Sequence, residues 1–370
     1  MKKIISFIKK ESVLCISLIL AAVSCFFVRP DAEYISYIDL RTLALLFCLM
    51  AVMAGFKEAG LFSFCAGKLI KTTSSARGLQ AVLTLLCFFF SAFITNDVAL
   101  ITFVPFAIAV LRLAGRPDLL PITVVMQTVA ANMGSCLTPI GNPQNIYLYS
   151  ISDISFIEFF MLLAPFAGVT LICLILMLFL TKKSPVTPSS EEVTKVRVAP
   201  TVLHGILFAV SIAGVLKLLP YPICLVITLI ALLIFDRKII LKVDYSLLLT
   251  FVGFFIFVGN MGRIPIFKEF IENMISGREV VFSALASQVI SNVPAALLLS
   301  GFSENYSALL IGVNIGGLGT LIASMASLIS YKYIAAAMPE SKGKYFLIFT
   351  VVNFVLLLLM LGLNIIIGLF

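Results

Sequence analysis

The stretch Glu279-Val-Val-Phe-Ser283-Ala-Leu-Ala-Ser287-Gln-Val-Ile-Ser291-Asn292-Val-Pro294-Ala-Ala-Leu-Leu-Leu-Ser300-Gly-Phe302 decides how this chain folds. It is apolar enough to enter a membrane, but a Ser-Asn-Val-Pro run divides it into two arms, 279–290 and 294–302. At about 1.5 Å per helical residue the arms reach roughly 18 and 14 Å, against a hydrocarbon core of roughly 30 Å. Neither arm can cross. The stretch therefore reads as a helical hairpin that dips to mid-membrane and returns, with its tip buried in protein or lining a wet cavity.

The rest of the chain agrees with a membrane setting. Of 370 residues 61% are hydrophobic and 12% charged, and the mean hydropathy is +1.15, so too little polar surface exists to clothe a water-soluble globule. A soluble enzyme is excluded. The net charge of +8 belongs to loops between spans and not to a nucleic-acid partner; the partner expected is the lipid bilayer. Apolar blocks at 13–27, 40–56, 119–149, 156–180, 203–219, 222–235, 245–261, 306–334 and 345–369 read as helices, because runs such as 171–180 lack the alternation of barrel strands. The segment after Met1 has no cleavage pattern and reads as the first helix. Eight cysteines stand singly in apolar stretches with no metal-ligand spacing, so they read as small packing residues, like most of the 32 phenylalanines.

With Lys2, Lys3, Lys9 and Lys10 placed in the cytoplasm, and with 78–113 and 279–302 each entering and leaving on one side, 20 of the 26 basic residues fall in cytoplasmic loops. Arg29, Arg41, Lys217, Arg263, Lys268 and Arg278 remain outside. This is the bias expected of a multi-pass protein with a cytoplasmic N-terminus, and it leaves the C-terminus extracytoplasmic.

The chain also repeats itself. Ser91-Ala-Phe-Ile-Thr95-Asn96 matches Ser287-Gln-Val-Ile-Ser291-Asn292, and residues 132–149 align without gaps on 314–331. The second block pairs Asn132 with Asn314, Gly134 with Gly316, Thr138 with Thr320, Ile140 with Ile322 and Tyr149 with Tyr331. By the charge pattern the first hairpin enters from the cytoplasm and the second from outside, so the repeats are inverted, an architecture of secondary transporters. The expected fold is an all-α polytopic membrane protein with inverted repeats, each holding a re-entrant hairpin and a broken transmembrane helix. The first hairpin has longer arms, and by itself it reads equally as two spans. The expected divisions are a tail and first helix at 1–37, a first repeat at 38–180 (hairpin 78–113, broken helix 119–153), a cytoplasmic linker at 181–200, connecting helices at 201–243, and a second repeat at 244–370 (hairpin 279–302, broken helix 305–337).

Thr138-Pro139-Ile140-Gly141-Asn142-Pro143-Gln144-Asn145 packs two prolines, a glycine and several polar side chains into a would-be span, and the helix must unwind there. Its mate, 320–327, has Ala323, Ser324 and Ser327 instead of the glycine and the two asparagines and is expected to break less sharply, helped by Gly316, Gly317 and Gly319. Unwound carbonyls and hydroxyls suit a cation, and free N–H groups at helix N-termini suit an anion. The same residues also serve simply as polar glue between helices. The candidate substrate- and ion-binding set is Ser91, Thr95, Asn96, Asp97, Asn132, Gly134, Thr138, Gly141, Asn142, Asn145, Ser287, Ser291, Asn292, Asn314, Gly316, Thr320, Ser324 and Ser327. Asp97 is the only charge in the 34 residues between Arg77 and Arg112, which makes it the candidate proton carrier or cation ligand; at an extracellular turn between two full spans it would be unremarkable. One histidine, His204, cannot make a multi-histidine metal site. No nucleophile–base pair, metal cluster or phosphate loop is present, so no enzymatic activity and no cofactor are expected beyond a transient Na+ or H+ as coupling ion.

These motifs, with the inverted halves, resemble the ion transporter superfamily of divalent anion:sodium symporters, arsenite permeases, citrate carriers and NhaD-type sodium–proton antiporters, from about residue 40 to the C-terminus. The chain looks closest to small bacterial inner-membrane members of the arsenite-permease-like branch. The resemblance implies one cation site from Ser91, Thr95 and Asn96 with the 138–145 break, and another from Ser287, Ser291 and Asn292 with the 320–327 break. It also implies a homodimer with a scaffold, an elevator motion and a small anion as substrate. The third tip position departs from the family's Thr in both repeats. Asp97 at this position would repel a dicarboxylate unless protonated and resembles the arsenite and sodium–proton branches, and Val293 offers no hydrogen bond.

Overall fold

A computed structural model describes residues 11–70, 73–181, 184–185 and 195–368. The expected basic residues Lys2, Lys3, Lys9, Lys10, Lys71, Lys182 and Lys183, most of the linker and the final residues of the last span lie outside them. In chain order the helices are α1 (Ser12–Phe27), α2 (Glu33–Tyr37), α3 (Leu40–Ala59), α4 (Leu61–Ile70), α5 (Ala76–Ile94), α6 (Asn96–Leu113), α7 (Leu120–Gly134), α8 (Pro143–Ile151), α9 (Phe156–Phe179), α10 (Val198–Val215), α11 (Tyr221–Phe235), α12 (Arg237–Ile240), α13 (Tyr245–Gly262), α14 (Pro265–Ile275), α15 (Glu279–Ile290), α16 (Asn292–Leu299), α17 (Tyr306–Ile315), α18 (Met325–Ala337) and α19 (Lys342–Ile367). Among the described residues eight helices are long and apolar enough to cross a membrane. Broad apolar faces point outward, for example Ile172 and Leu176 of α9 and Leu347 and Leu358 of α19, as lipid contact requires. The chain is an all-α multi-pass membrane protein of two repeats.

Each repeat contributes a hairpin (α5–α6, α15–α16) and a broken helix (α7/α8, α17/α18). The broken helix α7 is enclosed almost completely by α5, α6, α9 and parts of the second repeat, and its residues are buried from Leu120 to Gly134 apart from Ile122. Outside this core α1 pairs with α13, and α3 packs on α10 and α11. Small residues permit these approaches: a Cβ at Gly253 of α13 would fall 2.8 Å from Ser17 Oγ, and one at Gly55 of α3 would fall 1.9 Å from the His204 ring. His204 is a packing residue whose Nδ1 bonds the Pro200 carbonyl at 2.8 Å.

Polar links between loops fall into two sets. On one side Arg77 donates to the Thr181 carbonyl at 2.9 Å, Arg197 to the Glu58 carbonyl at 2.6 Å, Lys242 pairs with Glu58 at 2.6 Å, and Arg112 donates to the Ala337 carbonyl. On the other, Arg263 pairs with Asp31 at 2.7 Å, Lys217 donates to the Ser152 carbonyl at 2.8 Å, and Asp39 accepts from Ser150 at 3.0 Å. Each link joins ends that the charge pattern assigns to one face. At the second face, hydrogen bonding from Arg263 holds the Asp31 carboxyl below the usual carboxylate range. Asp39 also caps α3, accepting from the Thr42 amide at 3.0 Å. Replacing Asp39 by alanine is expected to cost about 1–2 kcal/mol, read as a lower melting temperature of the detergent-solubilised protein; an unchanged melt would show that the latch is idle.

The structure departs from the sequence reading in three places. The first break runs from Ser135 through Asn142, three residues earlier than expected, as two short 3-10 turns. The second, 316–324, is no weaker than the first. Three glycines loosen it, Gly319 at φ +102°, and Gln288 of the hairpin ties down three of its backbone groups: Nε2 donates to the Gly316 and Leu318 carbonyls at 2.9 and 3.0 Å, and Oε1 accepts from the Thr320 amide at 2.8 Å. An unwound segment whose groups are so satisfied is stable inside a membrane protein. Finally, α4 and α14 are helices where loops were expected. One face of α14 (Phe267, Ile271, Ile275) packs on Met261 and Phe302, while Ile266 and Phe270 are exposed.

Candidate functional site

Both hairpins turn in the same way. Thr95 and Ser291, the turning residues, have φ/ψ of +68°/148° and +75°/154°, a strained conformation for residues with side chains. The following asparagine accepts from the next amide in each case: Asp97 N to Asn96 Oδ1 at 2.8 Å, Val293 N to Asn292 Oδ1 at 3.0 Å.

Each tip meets its own break. Thr138 donates to the Ala92 carbonyl, and its mate Thr320 donates to the Gln288 carbonyl at 3.0 Å. Gly134 lies against the first hairpin, where a Cβ would be 2.0 Å from the Phe88 carbonyl oxygen and 2.7 Å from Ser91 Oγ; at Gly316 it would be 2.7 Å from Ser287 Oγ and 2.8 Å from Ala284 Cα. These matched contacts place the two units in one relation. They also resolve the first hairpin: its tip stops at the break, with the nine residues of α8, about 13 Å of helix, between that level and Ser152 at the outer loops. It is re-entrant.

The two breaks then meet each other. Asn132 donates to the Gly317 carbonyl at 3.2 Å and to Ser327 Oγ at 3.4 Å, and its Oδ1 accepts from Asn96 at 3.1 Å and Ser324 at 3.0 Å. Asn314, its mate, donates to Asn145 Oδ1 at 2.7 Å and to the Leu310 carbonyl at 2.8 Å. Asn145 aligns with Ser327, so the crossing contacts are symmetric. Asn142 donates to Ser135 Oγ at 2.6 Å, Asn145 reaches the Ser135 and Thr138 carbonyls, and Gly141 sits where a Cβ would be 2.0 Å from the Ser135 carbonyl oxygen. The structure thus gathers the expected tip and break residues around one buried centre. Ser135 and Gln288 belong to it and were not in the sequence-derived set; a lone Gln in the apolar arm 279–290 was the available signal. Gln144 is fully buried with neither amide atom paired.

Asp97 stands at the first turn of α6, and its carboxylate takes no part in the hydrogen bonds of this centre. Its Oδ1 is buried with no partner, and the charge that acts on it is another carboxylate, Asp244 at the head of α13. Asp244 also borders a cleft of about 320 Å³ that runs past Thr250 and Lys332 to Ser291 and Val293 of the second tip. Asp244 and Lys332 lie at the face of Arg112 and Arg197, so the second tip is reached from that side. Among the described residues no group of three or more metal-ligating side chains occurs.

Two inverted hairpins and two broken helices closing on a buried polar centre define a membrane transporter. The sequence profile described as citrate transporter (CitMHS) matches residues 4–303, and the chain belongs to that family. It is 33% identical over 303 residues to an uncharacterized transporter of Methanocaldococcus jannaschii, covering 81% of this chain and 82% of that protein. It is 31% identical over 321 residues to the inner membrane protein YbiR of Escherichia coli, covering 85% and 86%. The silicon efflux transporter LSI3 of Oryza sativa subsp. japonica matches over 140 residues at 36% identity, 37% of this chain and 28% of that one. The crystal structure of the Alcanivorax borkumensis YdaH transporter, described as having an unusual topology, superposes with a TM-score of 0.55 at 13% identity over 97% of this chain and 98% of that one, which establishes the shared fold.

Proposed function

We propose that the protein is a secondary active transporter of the bacterial cytoplasmic membrane that moves a small inorganic oxyanion or carboxylate, coupled to H+ or Na+, by alternating access of the elevator type in a homodimer. The observation that carries this reading is the convergence of both tips and both breaks on one buried polar centre reached by a cleft from one face. Unwinding two helices in hydrocarbon leaves backbone groups that cost several kcal/mol each if unsatisfied, and a site open to one side is what alternating access requires. The charge bias assigns the face of Arg112, Arg197 and Lys242 to the cytoplasm, with the N-terminus there and the C-terminus opposite. No Lys or Arg side chain among the described residues hydrogen-bonds within the centre, so an anion there is held by amides and a co-bound cation.

Asp97 favours a second reading, sodium–proton exchange of the NhaD type, because a carboxylate whose Oδ1 is buried without a partner attracts a proton or cation and needs no anion. Internal pH in sealed proteoliposomes separates the two. Proton or charge movement that appears only when one anion from a panel of citrate, sulfate, phosphate and arsenite is added supports anion transport and gives its class. Proton movement on sodium alone supports exchange and removes the anion reading. Silence under every gradient overturns both.

A further inference from the structure

Helices α10 and α11 meet at one end and part at the other. Near the outer loops a Cβ at Gly214 of α10 would fall 2.7 Å from Cys224 Sγ of α11, so the two backbones are in close contact there. At the opposite end α11 stops at Phe235, and Asp236, at φ/ψ of −153°/63°, turns the chain away into α12. The first two turns of α10 are left without a neighbour on that side. A groove of about 540 Å³ opens there between Ala199, Val202, Leu203 and Ile206 of α10 and Phe235 of α11. The spacing 199, 202, 203, 206 is one face of a helix, and it extends about 10 Å along the axis. Val202, Ile206 and Phe235 are 56, 59 and 70% exposed.

The mouth of this groove is positively charged. Arg197 stands at the N-terminus of α10, and Arg237 and Lys238 open α12 directly after Asp236. All three are exposed, and among the described residues none pairs with a carboxylate, whereas Lys242 of the same face is taken up by Glu58 at 2.6 Å. Backbone carbonyls fix two of them in place: Arg237 Nε donates to the Leu233 carbonyl at 2.6 Å, and Arg197 Nη2 to the Glu58 carbonyl at 2.6 Å. Each guanidinium keeps further N–H groups free for an acceptor. The acid that lines the groove is Asp236, so three positive charges stand against one.

We propose that this groove is a binding site for one anionic phospholipid of the bilayer, with an acyl chain laid along α10 against Phe235 and the phosphate among Arg197, Arg237 and Lys238. Hydrocarbon gains free energy by filling an apolar groove, and basic groups at the membrane surface hold anionic headgroups. The groove's length of about 10 Å also falls within one leaflet's share of a hydrocarbon core of roughly 30 Å. An isologous contact between two copies centred here would instead bring the same three cations against each other. The inference is independent of the substrate and of the coupling ion.

The test is lipid titration of the purified protein in a maltoside detergent, read by native mass spectrometry and thermal melts, which needs no transport. Wild type is expected to retain one phosphatidylglycerol per chain and to melt higher as that lipid is added. Phosphatidylcholine with the same acyl chains should bind at least tenfold more weakly, and glycerol phosphate, the headgroup without chains, should leave the melt unchanged. Arg237→Gln combined with Lys238→Gln should weaken phosphatidylglycerol binding at least tenfold, about fivefold for each charge removed, and leave phosphatidylcholine binding as it was. Ile206→Trp fills the groove from an exposed helix face and should also weaken phosphatidylglycerol binding at least tenfold; it decides the matter if the charge variant fails to fold. Ile172→Trp, on the exposed face of α9, is the control and should change nothing. Equal affinity for the two lipids, or unaltered phosphatidylglycerol binding in either the charge variant or Ile206→Trp, would overturn the proposal. A melt raised equally by glycerol phosphate would show a site for free phosphate, and a dimer lost in Ile206→Trp with lipid binding intact would show a contact between copies; either result would overturn it as well.

Discussion

Gly134→Ala is expected to abolish folded, active protein, with a loss of at least about 3 kcal/mol. The added methyl would lie 2.0 Å from the Phe88 carbonyl oxygen and 2.8 Å from its carbon. Those are backbone atoms of α5, and α5 cannot retreat without pulling the first tip away from Asn132 and Thr138. The steric conflict therefore reaches the centre of the protein and not merely the local helix contact. Gly168→Ala in α9 is the control, because nothing lies within 4 Å of its added carbon, and alanine in a helix interior is favoured by up to about 1 kcal/mol. Melting temperature and monodispersity in detergent give the result. A Gly134→Ala protein that melts with wild type would mean that α5 and α7 are not packed as described.

The second large effect concerns Asp97. Asp97→Asn is expected to reduce cation-driven flux in proteoliposomes by more than tenfold while the melt changes little. The carboxylate holds no hydrogen bond of the central cluster, so its loss removes no packing link; Oδ1 is buried without a partner and Asp244 presents a like charge. Such a group is neutralised by a proton or a cation, and an amide takes up neither in its place. Asp97→Glu should restore part of the flux, and Asp244→Asn should change the rate while preserving coupling. Full flux in Asp97→Asn would remove this carboxylate from the mechanism.

Much of the fold was legible because membrane solvation converts sequence into strict limits. The arms 279–290 and 294–302 cannot span, the Pro139-to-Pro143 run cannot remain helical, and the charges sort the loops; each conclusion follows from helix rise and the cost of unpaired backbone. The candidate site was legible through the repeat, since Asn132 with Asn314 and the two tips recur in order. Ser135 and Gln288 escaped because each is polar at a position where its mate is not an equivalent residue. The strength of the second break escaped for a related reason: it depends on Gln288 reaching across from the hairpin to Gly316, Leu318 and Thr320, a contact between residues some 30 positions apart.

The sequence by itself determined the membrane setting, the second hairpin, the two breaks and the residues that surround the centre, because these follow from local apolar length, proline and glycine placement, and internal repetition. Only the tertiary structure decided that the first hairpin stops at its break, that the two breaks touch through Asn132 with Ser327 and Asn314 with Asn145, and that Asn132 is satisfied where Asn314 is not. Those outcomes depend on which amide end faces which carbonyl across helices distant in the chain, a matter of a few tenths of an ångström in packing that composition and spacing do not encode.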